Sequence, residues 1–197
     1  MTERARRAQI VSAAIETIAE EGYTRTSFTR IARRAGLSST GLISYHFAGK
    51  ADLMSEVVHD ILRRFTEHVL AQEDDGTPAG ELSTFIRANM DFMSTNRPDM
   101  LALVRIQAGR PMQRQSSDEE PTIASISQDR SQLAELLRRG QGTGQFRQFD
   151  SHAVAGFILA LRNNVIEHSA DPDADMDAIG AELAETVRAM TTAREKR

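Results

Sequence analysis

Apolar residues recur every three or four positions along most of these 197 residues, the alternation that strands need is absent, and Gly, Pro or Asp clusters punctuate the periodic stretches. These observations predict an all-α fold of about nine helices. The presence of only two Tyr and no Trp fits the same reading.

The first helix is expected over about Glu3–Glu21, with Ile10, Val11, Ala14, Ile15 and Ile18 as its buried stripe and Gly22 as its stop. Two short helices follow inside Thr26–Lys50, TSFTRIARRAGLSSTGLISYHFAGK. Phe28, Ile31, Ala32 and Ala35 share a face of the first. Thr26 or Ser27 can cap it, because a side-chain oxygen there satisfies a free backbone N–H. Gly36 suits the left-handed residue that closes a helix. Ser38 or Ser39 can cap the second, which carries Leu42 and Ile43 inward. Helix, tight Gly turn and second helix make the helix-turn-helix pattern. Its second helix is placed to lie in the DNA major groove.

A longer helix begins near Lys50–Asp52 and runs to about Ala71, with Leu53, Val57, Ile61, Leu62, Phe65 and Val69 inward. Glu73–Pro78 is a polar connection. Next come helices at about Gly80–Thr95, carrying Leu82, Phe85, Ile86, Met90 and Met93, and at Met100–Ala108, after a break at Asn96-Arg97-Pro98. Gly109–Pro121 gathers Gly, Pro, Ser and acidic residues and is expected to be the least ordered stretch. A helix over about Thr122–Arg139 uses Ile123, Ile126, Leu133, Leu136 and Leu137. The glycines of Gly140–Phe146 mark a turn; a phosphate cradle there lacks both a preceding strand and a following Lys-Ser/Thr. Two helices close the chain, one marked by Val154, Phe157, Ile158, Leu161 and Val165, the other by Met176, Ile179, Leu183, Val187 and Met190. Asp171-Pro172-Asp173 separates them, and the tail Arg194–Arg197 is expected to fray. The domain boundary falls within the fourth helix: residues 1–50 form the helix-turn-helix domain, 50–71 the link, and 51–197 a helical body.

Charge is divided unevenly. Residues 1–50 hold eight Arg/Lys against four Asp/Glu, a net +4, and the remainder holds 16 against 24, a net −8. A basic front and acidic body point to nucleic acid at the front, although ordinary solvated helix faces would give the same count. Without cysteine there are no disulfides, thiolate metal sites or cysteine nucleophiles. No apolar run is long enough to span a membrane and no secretory h-region is visible, so a cytoplasmic protein is expected. The five histidines show no His-x-x-x-His spacing or acidic pairing, and Gly-x-Ser-x-Gly is absent, so neither catalysis nor a cofactor or metal is expected.

The spaced residues Gly22-Tyr23, Thr26, Ile31-Ala32, Ala35-Gly36, Ser39, Gly41, His46-Phe47 and Lys50 resemble the signature of the TetR family of one-component bacterial regulators. Two departures stand out. The stretch from Ala35-Gly36 to His46-Phe47 is one residue longer than the common spelling, at Ser38-Ser39, and Ser44 stands where the family usually has tyrosine, with Tyr45 beside it. The body is similar too, more weakly, through its helical makeup and the Arg-Gly…Gly-Gln-Phe-Arg turn before Ser151.

The resemblance implies a homodimeric regulator, most simply a repressor of a pseudo-palindromic operator that a small molecule releases, cytoplasmic and on the nucleoid when bound. The alternative is a DNA-binding regulator without an inducer, acting as activator or through a protein partner. Carried onto this chain, phosphate contacts fall to Thr26 and Ser27, to Lys50, and to one ring of Tyr45 or His46, with Arg30 on phosphate or base. Base reading falls to Ser39, Thr40, Gly41, Leu42 and Ser44, with Thr40 and Leu42 able to touch thymine methyls. Arg33 and Arg34 fit a solvated face, and Arg4, Arg6 and Arg7 either follow the backbone or form a loose arm. An effector cavity would draw on Phe65, Met90, Met93, Met100, Leu103, Val104, Phe157, Leu161 and Asn164, since methionine adapts to irregular shapes. Plain core is the other reading of these residues. The dimer seam would use Val154, Ile158, Val165, Ile179, Leu183, Val187 and Met190 as a four-helix bundle across a two-fold axis.

Overall fold

The computed structural model of the chain describes residues 2–109, 121–169, 171 and 173–192, with the backbone alone over 121–129. Of the loose connection expected over Gly109–Pro121, the two end residues belong to helices and residues 110–120 lie outside the described residues, as do the side chains of Ile123 and Ile126, Pro172 and the tail Arg194–Arg197. The described residues form nine α-helices and no strand: α1 Glu3–Glu21, α2 Phe28–Arg34, α3 Gly41–His46, α4 Lys50–Leu70, α5 Pro78–Thr95, α6 Arg97–Gly109, α7 Pro121–Gly142, α8 Ser151–His168 and α9 Met176–Thr191. The chain is all-α, and among the described residues no helix is long and apolar enough to cross a membrane.

Local chemistry accounts for most boundaries. Thr2, Ser27, Asp150 and Asp175 accept an amide hydrogen bond at the starts of α1, α2, α8 and α9, each satisfying a donor the helix cannot use itself. α6 begins before the expected Met100. Pro98 lies in its first turn, where a missing N–H has no helical acceptor to disappoint. The break is confined to Asn96, whose carbonyl accepts from the amides of Asp99 and Met100.

The chain divides into two compact units. One holds the described parts of Met1–Thr66 and Asn96–Arg114; the other holds Glu67–Thr95 and the described part of Gln115–Arg197. In the first, α1 packs on α2 and α6. Ile10, Ala14 and Ile18 of α1, Ile31 of α2, Ile43 of α3 and Leu53, Val57 and Ile61 of α4 have no solvent exposure. Arg64 of α4 pairs with Asp60 one turn back and with the buried Asp99 of α6. Burial alone would lower the Arg64 pKa, and the two carboxylates carry it above the usual value.

In the second unit α5 touches α7 and α9, and α8 touches α7 and α9, which closes a ring of four helices within one chain. The glycine-rich turn before α8 is tied into this ring. The Phe146 amide donates to the Gly140 carbonyl at 3.1 Å, Phe146 is buried, and the Arg147 amide donates to the Thr191 carbonyl at the end of α9 at 2.9 Å.

Candidate nucleic-acid interface

The helix-turn-helix is built from α2 and α3. Ser27 caps α2, accepting from the Arg30 amide. Its other end is a Schellman close. The Leu37 amide donates to the Ala32 carbonyl at 2.9 Å and the Gly36 amide to the Arg33 carbonyl at 3.2 Å. Gly36 sits at φ 64°, a conformation glycine takes without Cβ strain. Gln9 of α1 donates to the Ala35 carbonyl at 2.7 Å and fixes α2 from outside.

α3 starts differently from expectation. Neither Ser38 nor Ser39 caps it; its N-cap is Thr40, already in a helical conformation and making no side-chain cap bond. The amides of Ile43 and Ser44 instead reach the Thr40 carbonyl. The helix is held from its inner side by Ile43 and Phe47, 0% and 2% exposed, and from its end by Arg7. That guanidinium donates to the His46 carbonyl at 2.8 Å and to Glu56 at 2.9 Å, and stacks 4.5 Å from the Phe47 ring centroid. A cation at the last carbonyls of a helix meets its negative end. Arg7 thus belongs to the module's framework, a role that neither a backbone-following nor a loose arm includes.

Among the candidate contact residues, Ser39, Gly41, Ser44 and Tyr45 are exposed, and Thr40 and Leu42 are half-buried. Tyr45 is 77% exposed, whereas the His46 side chain is 6% exposed and lies edge-on to Tyr45, so Tyr45 is the ring that faces outward. Ser27 is exposed. Thr26 is buried: its hydroxyl donates to the Gly22 carbonyl at 2.8 Å and its amide to the carbonyls of Gly22 and Tyr23. These bonds turn the groups expected to face phosphate back into the preceding turn, leaving Ser27 as the hydroxyl at this helix start. Arg30 is ion-paired with Glu21, and Arg34 with Glu16 and Glu20, so part of the front's positive charge is met internally. Lys50 opens α4 and donates to the Tyr23 carbonyl at 2.6 Å, with its ammonium 4.3 Å from the Tyr23 ring centroid. Burial pushes its pKa below the usual lysine value.

The body candidates divide between the units. Phe65, Met100, Leu103 and Val104 lie in the first, and Met90, Met93, Phe157, Leu161 and Asn164 in the second. Met93 and Met100 are buried to 1% exposure or less, and Met90 faces Gly180 of α9 so closely that a Cβ added at Gly180 would fall 3.2 Å from Met90 Cε. Phe157, Leu161 and Asn164, expected to line a cavity, instead stand on the outer face of α8, with Phe157 60% exposed. Val154, Ile158, Val165, Leu183 and Val187, expected at a seam between subunits, are buried within the single chain, while Ile179 and Met190 are half-buried. The cause is the closed ring of α5, α7, α8 and α9: the more apolar stripes of α8 and α9 face their own neighbours.

Residues 10–57 match the family described as bacterial regulatory proteins, tetR family. The chain is 32% identical over 111 residues to the HTH-type transcriptional regulator BetI 1 of Chromohalobacter salexigens, covering 54% of each protein. It spans about half the length of the curated relatives it matches first. In fold it is similar to a TetR transcription regulator from Haloarcula marismortui, with TM-score 0.81, 20% identity, and coverage of 96% of this chain and 100% of the other. It is also similar to a solved structure concerned with control of antibiotic production by a bacterial hormone, with TM-score 0.75, 26% identity, and coverage of 98% and 100%. The helix-turn-helix segment thus matches the tetR family of bacterial regulatory proteins, and the whole-chain helical fold is similar to those of TetR-type regulators.

Proposed function

We propose that this chain is a transcriptional regulator that binds a pseudo-palindromic DNA operator as a homodimer and is released by a small molecule held in its body. The observation that carries the reading is the outward surface of α3. Gly41, Ser44 and the 77%-exposed Tyr45 stand outward on a helix whose opposite side is locked by Ile43, Phe47 and Arg7, and Ser39 is exposed just ahead of it. An α-helix fits the major groove, and a glycine at its start permits close approach to base edges. Ser27, Tyr45 and Lys50 would supply the phosphate contacts that position it. Arg30 would have to exchange Glu21 for the DNA backbone.

A single short helix reads too few bases for useful specificity, and two half-sites multiply it. The outer face of α8, with Phe157 and Leu161, is the surface we assign to pairing of two copies. Effector release requires that the small molecule favour the spacing of the DNA modules that does not fit the operator. α4 is the segment we assign to this coupling, since it runs unbroken from Lys50 to Leu70. Transcriptional control in the BetI relatives and hormone control in the antibiotic-production structure support the reading.

Selection of bound duplexes from a random pool tests it. The expected outcome is an enriched inverted repeat, bound with strong salt dependence and released by some member of a metabolite panel. Enrichment of no sequence would overturn the DNA reading. An enriched site that no metabolite releases would favour a regulator without an inducer.

A further inference from the structure

α1 ends without a basic residue of its own in its last turn. The negative end of its dipole is met by Arg25, just past the helix, whose guanidinium donates to the Glu21 carbonyl at 2.8 Å, and by Arg105 of α6, whose guanidinium donates to the Ala19 carbonyl at 2.6 Å and to the Ile18 carbonyl at 3.2 Å. One turn further along α6 is Gly109. A Cβ built there would fall 2.6 Å from Cβ and Cγ of Tyr23, closer than side-chain atoms pack. The end of α6 therefore closes on the end of α1 and the turn after it at two points, a cation on the Ile18 and Ala19 carbonyls and a bare backbone against the Tyr23 ring.

The Gly22–Tyr23 turn in turn supports both Lys50 and the start of α2. The Tyr23 carbonyl accepts from Lys50 Nζ at 2.6 Å, and the Tyr23 ring lies under the same ammonium. The carbonyls of Gly22 and Tyr23 hold Thr26, next to the cap residue Ser27. Lysine is a flexible four-carbon chain with three rotatable donors. With one donor on a carbonyl and its charge over a ring, its reach is narrowed to a small region before DNA arrives.

We propose that Arg105 and Gly109 are positioning residues for DNA binding: the end of α6 holds Tyr23, and Tyr23 holds the Lys50 ammonium where a backbone phosphate meets it. The proposal rests on the DNA-binding reading of Lys50 above. It makes α6 part of the DNA-binding apparatus, so that a change at the α6 end alters phosphate affinity through Lys50 and leaves base reading by α3 in place.

The test uses the full-length chain and a duplex enriched by the wild-type protein, with affinity measured against KCl concentration. Lys50→Met should flatten the plot of log affinity against log salt by about one per subunit. Arg105→Met and Gly109→Ala should each weaken binding by about tenfold and flatten the same plot, as loss of one charge-assisted contact per half-site does. Neither should weaken binding further in the Lys50→Met background. Arg105→Lys, which keeps a cation at the end of α1, should restore most of the affinity.

A readout without DNA separates the clamp from the DNA reading. The chain has two lysines, Lys50 and Lys196, so acetic anhydride labelling measured over pH reports each one. In Gly109→Ala and Arg105→Met the Lys50 midpoint should rise toward that of Lys196. Equal weakening of binding with and without Lys50, at unchanged salt slope, would overturn the proposal and leave the α6 end a stabilising element. So would an unchanged Lys50 midpoint in both variants, whether or not any duplex is enriched. If Lys50→Met binds as wild type, the phosphate role of Lys50 fails and the proposal falls with it. If Arg105→Met does not fold, Gly109→Ala and Arg105→Lys decide the matter.

Discussion

The proposed pairing of two copies through the outer face of α8 predicts that adjacent residues there separate pairing from folding. Phe157 is 60% exposed and Ile158 is fully buried. A phenylalanine carries roughly 200 Å² of surface, so about 120 Å² of the Phe157 ring is open to water. At about 25 cal/mol per Å², covering it would contribute about 3 kcal/mol per subunit. A two-fold axis counts the ring twice, giving about 6 kcal/mol as an upper bound, because incomplete coverage and ordering reduce it. Half of that, about 3 kcal/mol, is already a dimer weakened more than 100-fold. Phe157→Glu should therefore shift the monomer–dimer equilibrium by at least two orders of magnitude in sedimentation equilibrium. At protein concentrations where every chain is monomeric, it should leave the unfolding midpoint almost unchanged. Ile158→Ala should do the reverse, lowering unfolding free energy by about 2–4 kcal/mol through lost burial and a residual cavity, with the association constant little changed. A Phe157→Glu protein that dimerises as wild type, or an Ile158→Ala protein that loses dimers before stability, would refute the reasoning.

Three other perturbations have defined outcomes. Gly36→Ala meets no atom within 4 Å, so only the φ of 64° resists it. The cost is about 1 kcal/mol, read as a melting temperature lowered by about 2–4 °C; an unshifted melt would mean the turn is not left-handed in solution. Arg7→Met removes the donors to the His46 carbonyl and Glu56, and should cost about 1–2 kcal/mol in urea unfolding. It should also weaken DNA binding by loosening the end of α3, and unaltered affinity would argue that α3 holds its place without this anchor. On the acid side, a hydrogen bond from Arg34 holds the Glu20 carboxyl below its usual value, and Thr77 and Arg138 do the same for Asp75 and Glu135. Because the folded pKa values are depressed, their contribution is present above the unfolded values of 4.5 and 3.8 and is lost as pH falls through the folded ones. Urea midpoints should decline below about pH 4.5, less steeply in Arg34→Gln; equal slopes in the two proteins would exclude the Arg34 pair as a contributor.

How much of the fold is legible in the sequence depends on the range of the interactions. The end of α1 at Gly22, the Schellman close at Gly36 and the start of α8 at Ser151 are set by residues within one turn, so a linear reading finds them. The α3 cap misleads because two serines precede a helix whose first amides are met by the Thr40 carbonyl, leaving the hydroxyls unused there. On α8 and α9 the 3.6-residue period finds the apolar positions but cannot say which of them are buried or name their partner. The heavier stripe of Val154, Ile158 and Val165 is expected against a second copy, and the lighter one of Phe157 and Leu161 in the interior, the inverse of where the ring of four helices puts them. Periodicity measures how apolar a face is, and a bundle closed within one chain needs its most apolar faces first. What remains outward is a weaker, half-polar stripe, the composition expected of a surface that must also tolerate water.

The contacts of α6 on α1 have no direct sequence signal. Arg105 lies 86 and 87 residues from the carbonyls it caps, and a carbonyl acceptor is the same whatever side chain it carries. Gly109 reads only as the edge of a loose connection, because its lack of a side chain matters solely where Tyr23 arrives. A helix end short of basic residues is the one hint the chain offers: α1 finishes Ala19-Glu20-Glu21 before Gly22, a charge pattern opposed to its own dipole. Such an end needs cations from elsewhere, and in this fold Arg25, just past Gly22, and Arg105 of α6 bring them. That places the unit that carries the helix-turn-helix across two separate segments of the chain. An isolated fragment ending at Leu70 would keep every residue of the family signature and lose Arg105, Asp99 and the packing of α6 on α1.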